Sequence, residues 1–454
     1  MDIIQGQHDW QSLYKEHVAV LMERLQQSLL ENEFDSVLIY SGTSSVAFRD
    51  DNPYPFKANP HFKHWLPLPE QPGCMLWITP EKKPKLFYLQ PKDFWHAVPP
   101  EPEGFWLNEW DINIVHSVSE IRQQLAIDWN TMAFIGETTE ELFDWPIQHI
   151  NPNSLLAHLE YNRAYKTAYE QQCLRMANRR AVKGHNAAYQ AWHSGKTELE
   201  THCAYLMACQ LRESQLPYDS IVAFNDHSAI LHYDHYLTSA TTEMKSFLLD
   251  AGAVYNGYIA DITRTHCAGE SHVFSELIQA LDLAQQKLIS EIEPGMSFVY
   301  LHERMHEAIA ILLNQFEIVN LPVEQIINNE ITHVFFPHGL GHLIGVQTHD
   351  IGGWQKDTNG TMFESPSKHP FLRLLRPLDI GVATTIEPGI YFIPMLLKTL
   401  RESEHAKWVN WSLIDTLCGF GGIRIEDTVI INHQGTENIT RDAFTLVSEI
   451  DFSL

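Results

Sequence analysis

The sequence predicts an α+β chain in two parts: a small mixed α/β domain over residues 1–155 and a larger α+β domain over residues 156–454. Three observations carry that reading. Short apolar runs, set between Pro- and Gly-rich stretches, fill the first part. Long stretches of helical spacing open the second. Farther on, an Asn-Gly pair sits between two strand-like runs, the strongest short-range hairpin signal.

Taken in order, the first part should hold a leading helix around His17–Glu31, then strands at Ser36–Tyr40, Met75–Ile78 and Lys85–Leu89. Dense Pro and Gly between Asn52 and Gly104 mark loops. One long helix is expected over Tyr161–Trp192, and a capping box of Thr197 and Glu200 opens the next. Further helices are expected at Phe274–Glu291 and Ser297–Phe316. With 454 residues, 44% of them apolar, the chain can bury a sizeable core.

Lys plus Arg number 31 against 57 Asp plus Glu, a formal charge of 31 − 57 = −26. Such a field repels nucleic acid and anionic membranes, so neither is expected as a partner. The six cysteines show no C-x-x-C spacing and read as reduced thiols. Met1–Leu21 is polar, carries both charge signs and lacks an apolar signal core. No stretch approaches the roughly 18 apolar residues of a membrane span. A cytoplasmic location is expected.

The segment Ser246–Thr265 carries the first chemistry. A two-residue turn at Asn256-Gly257 pairs Tyr255 with Tyr258, Gly252 with Asp261 and Asp250 with Thr263. Period-two alternation then places Asp250 and Asp261 on one face as diagonal neighbours, with Cα atoms about 7–8 Å apart. Two carboxylates side by side in an apolar sheet are costly unless a cation neutralises them. A partnership with Arg264, or a bulge that separates them, is the bland alternative.

The run Phe335-Phe336-Pro337-His338-Gly339-Leu340-Gly341-His342 precedes His349. Its glycines argue against a helix and for an extended segment with His338 and His342 pointing the same way. Glu387 stands at a strand end before Pro388-Gly389, and Arg424 and Glu426 share one face of an alternating run, which by itself reads slightly better as a solvent-facing polar side than as part of a site. Assembled, Asp250, Asp261, His342, Glu387 and Glu426 make a set whose four carboxylates balance two divalent cations. Oxygen-rich ligation with one imidazole suits Mn²⁺, Co²⁺ or Zn²⁺.

The stretches LLDAGAVYNGYIADITRT, FFPHGLGHLIGVQTHDIGG, TTIEPGIYF and FGGIRIEDTVII together resemble the creatinase/aminopeptidase ("pita-bread") family. With YPFKANPHFKHWLP and HPFLRLLRP, the pattern is most similar to bacterial prolidases, a subgroup that includes enzymes acting on organophosphorus esters and fluorides. The resemblance implies a homodimer, two Mn²⁺ ions and cleavage of Xaa-Pro dipeptides before the C-terminal proline. It implies metal ligation by Asp250, Asp261, His342, Glu387 and Glu426, with Glu387 also shuttling the proton. His338 and His349 would contact substrate and intermediate, and Arg424 would face the substrate. Arg376 would be a second candidate for the substrate carboxylate, His232 would line the pocket, and Asp51 would reach the partner's site. Phe298 and Thr348 depart from the pattern, which leaves side-chain preference and organophosphate activity open. Aminopeptidase action on longer peptides, a physiological phosphotriesterase and a non-catalytic binding protein are the rival readings.

His302-Glu303-Arg304-Met305-His306 fits H-E-x-x-H, a zinc-protease spacing. In a chain of 25 histidines the match is weak, and apolar Phe298, Leu301, Met305, Ile309 and Leu312 share its helical spacing. It is read as a core-facing helix whose histidines are dispensable for activity.

Overall fold

In the computed structural model, residues 9–269 and 272–451 are described. The first eight residues of the polar N-terminal stretch fall outside them. The chain divides into two compact units. One runs through Cys173 and takes in Lys356–Thr361; the other comprises Leu174–Gln355 and the chain from Met362 onward.

The first unit is built on a six-stranded mixed sheet, in the order Asp111–Val115, Lys85–Leu89, Met75–Ile78, Ser36–Tyr40, Met132–Ile135 and His149–Ile150. All three strands anticipated from the sequence form with the expected bounds. Each alternates too little to leave a wet face, and Ser36–Tyr40 is buried throughout. Leu38, Tyr40, Met75, Phe87 and Phe134 meet in its core. The leading helix spans Trp10–Glu31, with Asp9 accepting from the Ser12 N–H.

The single long helix expected over residues 161–192 is two helices, Asn153–Arg163 and Ala168–His193. The reason is a second capping box. Thr167 N–H donates to Glu170 Oε2, and Glu170 N–H donates to Thr167 Oγ1. That pair starts a new helix inside the apolar periodicity. The box at Thr197 and Glu200 forms as expected.

In the second unit the helices Val273–Ser290 and Phe298–Gln315 form within a residue of expectation. One three-stranded sheet orders Thr263–Cys267, Ser246–Asp250 and Ile221–Phe224; another orders Ala383–Ile386, Asp427–Asn432 and Gly435–Asn438. A bridge between Thr263 and Glu426 links the two, and a bridge between Leu343 and Thr384 attaches the histidine segment. Gly389–Tyr391 pairs with Gly422–Arg424 beside them. These small sheets bring every carboxylate of the predicted set to one place. Among the described residues no helix is long and apolar enough to cross a membrane, and the six cysteines are free thiols.

Candidate metal centre

The Asn-Gly turn sets the register. Tyr255 pairs with Tyr258 and Asp250 with Thr263, as the two-residue turn requires. The ladder loosens between these pairs, where Ala251 N–H donates to Ile262 O and Ala260 N–H to Ala253 O. Space opposite Asp261 is needed for a ring: a Cβ on Gly252 would collide with the Ala260 carbonyl and crowd the Tyr218 ring. Tyr218 uses that space to donate its hydroxyl to Asp261 Oδ1.

The histidine segment is extended at His342, as its glycines predict, and lies along Ala383–Ile386. Thr385 N–H donates to His342 O, and Glu387 N–H donates to Leu340 O. A Cβ on Gly341 would overlap the Thr385 carbonyl, so the strand approaches there only because the residue is glycine. His342 Nδ1 lies 3.0 Å from Leu343 O, which fixes the tautomer and leaves the Nε2 lone pair facing the carboxylates.

Around that nitrogen stand Asp261 Oδ2 at 3.4 Å, Glu387 Oε1 at 3.6 Å and Glu426 Oε1 at 3.9 Å. One ligand atom each from Asp261, His342 and Glu426 lies within 4.8 Å of the others, and all three residues are buried. Thr263 Oγ1 donates to Glu426 Oε2 at 2.8 Å. Asp250 completes the sheet face, with Oδ2 on Arg424 Nη2 at 2.8 Å and Oδ1 buried without a hydrogen-bond partner. Arg264 is not the aspartates' partner; it binds Asp427 instead.

Burial raises the carboxyl pKa of Asp250, against the pull of Arg424. Burial, then Asp261 and Glu387, raises that of Glu426. Glu387 is pushed up to about 7 by burial, with His342 opposing and Asp261 adding to the shift. Burial lowers His342, but its bond to Asp261 and the charge of Glu387 outweigh it and raise the imidazole. A buried set of mutually repelling carboxylates with one orphaned oxygen and an aimed imidazole fits divalent cations.

The remaining predicted residues fall as follows. His338 Nδ1 lies 2.8 Å from Gly339 O and Nε2 2.9 Å from the Tyr391 hydroxyl, with burial and then Arg424 lowering its pKa to about 3. His349 sets its ring edge-on to His342, centroids 4.5 Å apart, and keeps a solvent-open side. His232 is exposed and close enough to act electrostatically on His338 and His349. Arg424 is 4% exposed, and its fork is engaged by Asp250, Tyr391 and Thr263 rather than left open for a ligand. Arg376 is buried and donates to Gly352 O. Asp51 is exposed on a loop of the first unit. Phe298 is buried at the start of its helix.

Sequence reasoning missed Tyr218, Tyr391 and Arg373. Tyr391 joins His338 to Arg424; counting by twos from Glu387 through Gly389 reaches it, so the alternation could have found it. Arg373 is exposed and acts on His349. Tyr218 lies far in sequence from Asp261 and has no local signal.

Residues 12–161 match the family model described as Xaa-Pro dipeptidase, N-terminal domain, and residues 172–433 match metallopeptidase family M24. A Pseudoalteromonas atlantica protein named Xaa-Pro dipeptidase is 44% identical over 95% of this chain and 98% of its own length. Xaa-Pro dipeptidase 2 of Idiomarina loihiensis is 45% identical over 95% and 98%. The fold matches Pseudomonas aeruginosa aminopeptidase PepP with a TM-score of 0.70, at 20% identity over 96% of this chain and 98% of that one. Zinc-substituted Escherichia coli aminopeptidase P in complex with product matches with a TM-score of 0.68, at 21% identity over 93% and 94%. With its N-terminal α/β domain and pita-bread second domain, the chain belongs to metallopeptidase family M24.

Proposed function

We propose that the chain is a dinuclear Xaa-Pro dipeptidase, releasing C-terminal proline from dipeptides. The observation that carries this reading is the convergence of Asp261, His342 and Glu426 with Glu387 beside them. The near full-length likeness to proteins named Xaa-Pro dipeptidase supports the substrate class. Asp250, Asp261, His342, Glu387 and Glu426 would hold the two ions. When bound, they supply Lewis acidity and water activation at neutral pH.

The chain's own groups do the rest. Water attacks the carbonyl carbon before proline, and its proton passes to Glu387, whose carboxylate stands beside His342 at the centre. Glu387 returns the proton to the proline nitrogen as the C–N bond breaks. His349, open to solvent, donates to the developing oxyanion; His338, tied on both nitrogens, holds the pocket wall through Tyr391 and Arg424. Arg373 is the better placed fork for the substrate carboxylate, because Arg376 is buried on a backbone carbonyl. His232 lines the approach. The preferred ion is Mn²⁺, the working form a cytoplasmic homodimer with Asp51 at the partner's site, and organophosphorus substrates are a side activity.

The test is proline release from Xaa-Pro dipeptides by metal-stripped protein before and after adding Mn²⁺. Release that needs Mn²⁺ and is lost in Asp261→Asn is expected. Release from Ala-Pro-Ala in preference to Ala-Pro would move the reading to an aminopeptidase for longer peptides.

A further inference from the structure

A second set of ligand atoms converges away from the carboxylates. His302 and His306 lie one turn apart on the helix Phe298–Gln315, and the chain returns at His369 to meet them. His302 Nε2 is 3.1 Å from His306 Nε2 and 3.1 Å from His369 Nδ1. His333 Nε2 lies 3.4 Å from that same Nδ1. Nitrogens bound tetrahedrally to Zn²⁺ stand about 3.3–3.4 Å apart, so the rings are already spaced like a coordination shell.

Hydrogen bonding alone accounts poorly for this packing. An imidazole nitrogen offers one N–H or one lone pair, so His302 Nε2 can serve only one of its two neighbours well. His306 Nδ1 sits 2.8 Å from Thr332 Oγ1; donating there leaves its Nε2 lone pair toward His302. An imidazole is ordinarily neutral at pH 7 and then carries a lone pair on one ring nitrogen. The Phe336 ring packs 5.5 Å from His302 and 5.0 Å from His306, and 4.9 Å from His338, which separates this cluster from the carboxylate centre.

We propose that His302, His306 and His369 form a further metal site for a nitrogen-preferring transition ion such as Zn²⁺, with His333 at its edge. Three neutral imidazoles favour Zn²⁺ over Mn²⁺. Glu303 is exposed on the outer face of the helix, so the H-E-x-x-H pair lacks the inward base of a zinc protease. The site is structural: it ties the loop that leads into Arg373 and Arg376 to the helix.

The experiment is zinc content per chain after stripped full-length protein is dialysed against Zn²⁺. Wild type is compared with His369→Gln and His302→Gln, each also in an Asp261→Asn background that impairs the carboxylate centre. About one zinc fewer per chain in both histidine variants is expected in either background, with loss of a zinc-dependent rise in unfolding temperature. His369 is only partly buried, so its variant reports on the site even if His302→Gln fails to fold. Equal zinc content in wild type and His369→Gln would overturn the proposal. Because the difference is read in both backgrounds, a failure of the dinuclear reading leaves it standing or falling by itself.

Discussion

Glu387 carries a carboxyl whose pKa is pushed up to about 7, with its side chain 18% exposed. Unfolded, a glutamate titrates near 4.3. The folded, metal-free chain therefore holds this proton more tightly. That contribution to stability is complete below about pH 4 and is lost as pH rises through about 7, a swing on the order of 3 kcal/mol. Glu387→Gln keeps the shape and removes the charge. In stripped protein it should raise the unfolding midpoint strongly at pH 8 and by much less at pH 5. Identical effects at both pH values would contradict the assignment. With ions bound, the same change should cost most of the turnover, since glutamine can neither ligate as an anion nor carry the proton. Tyr391→Phe probes the neighbouring link. Losing one hydrogen bond to His338 and one to Arg424 is worth about 1–2 kcal/mol, or roughly 5- to 30-fold in kcat/KM, with the fold retained.

The elements that build the centre meet through backbone. Gly341 lets the histidine segment lie against Ala383–Ile386, and a Cβ there would overlap the Thr385 carbonyl. Gly341→Ala should therefore push His342 away from Asp261, Glu387 and Glu426. A cost of about 1–3 kcal/mol is expected from the overpacking, and metal content should fall by more than the unfolding temperature suggests. Full metal occupancy with an unchanged midpoint would mean that the segment moves freely. The same backbone logic explains what was legible beforehand. The pairing of Asp250 with Thr263 followed from the Asn-Gly turn and a period of two, both local. The extended state around His342 followed from two glycines. The break before Ala168 was equally local, in the Thr167 and Glu170 box, and was masked by apolar spacing that runs across it. Tyr218 on Asp261 and Arg424 on Asp250 were not legible, because each joins segments that only the closed fold brings together. Glu426 and Arg424 alternate like a solvent-facing strand, yet both are buried, because both faces of this run are covered and Ile423 and Ile425 on the other face are buried as well.

At the scale of the whole chain, the charge of −26 acts on whatever approaches the centre. A plain Xaa-Pro dipeptide is a zwitterion and feels little net force, but Lys-Pro carries an extra positive charge and Asp-Pro an extra negative one. The long-range field should favour the first and oppose the second. Contacts inside the pocket also discriminate between them, so the ratio of their kcat/KM at one salt concentration cannot separate the two causes. Ionic strength can. The Debye length is about 30 Å at 0.01 M and about 10 Å at 0.1 M, so added salt removes the distant charges while leaving buried contacts almost untouched. The ratio for Lys-Pro over Asp-Pro should therefore fall several-fold between 0.01 M and 0.3 M NaCl, with Ala-Pro changing least. The change should appear mainly in kcat/KM, which includes the approach, and little in kcat, which does not. A ratio that stays flat across that range would place all the discrimination within the pocket and deny the acidic surface any part in selecting substrates.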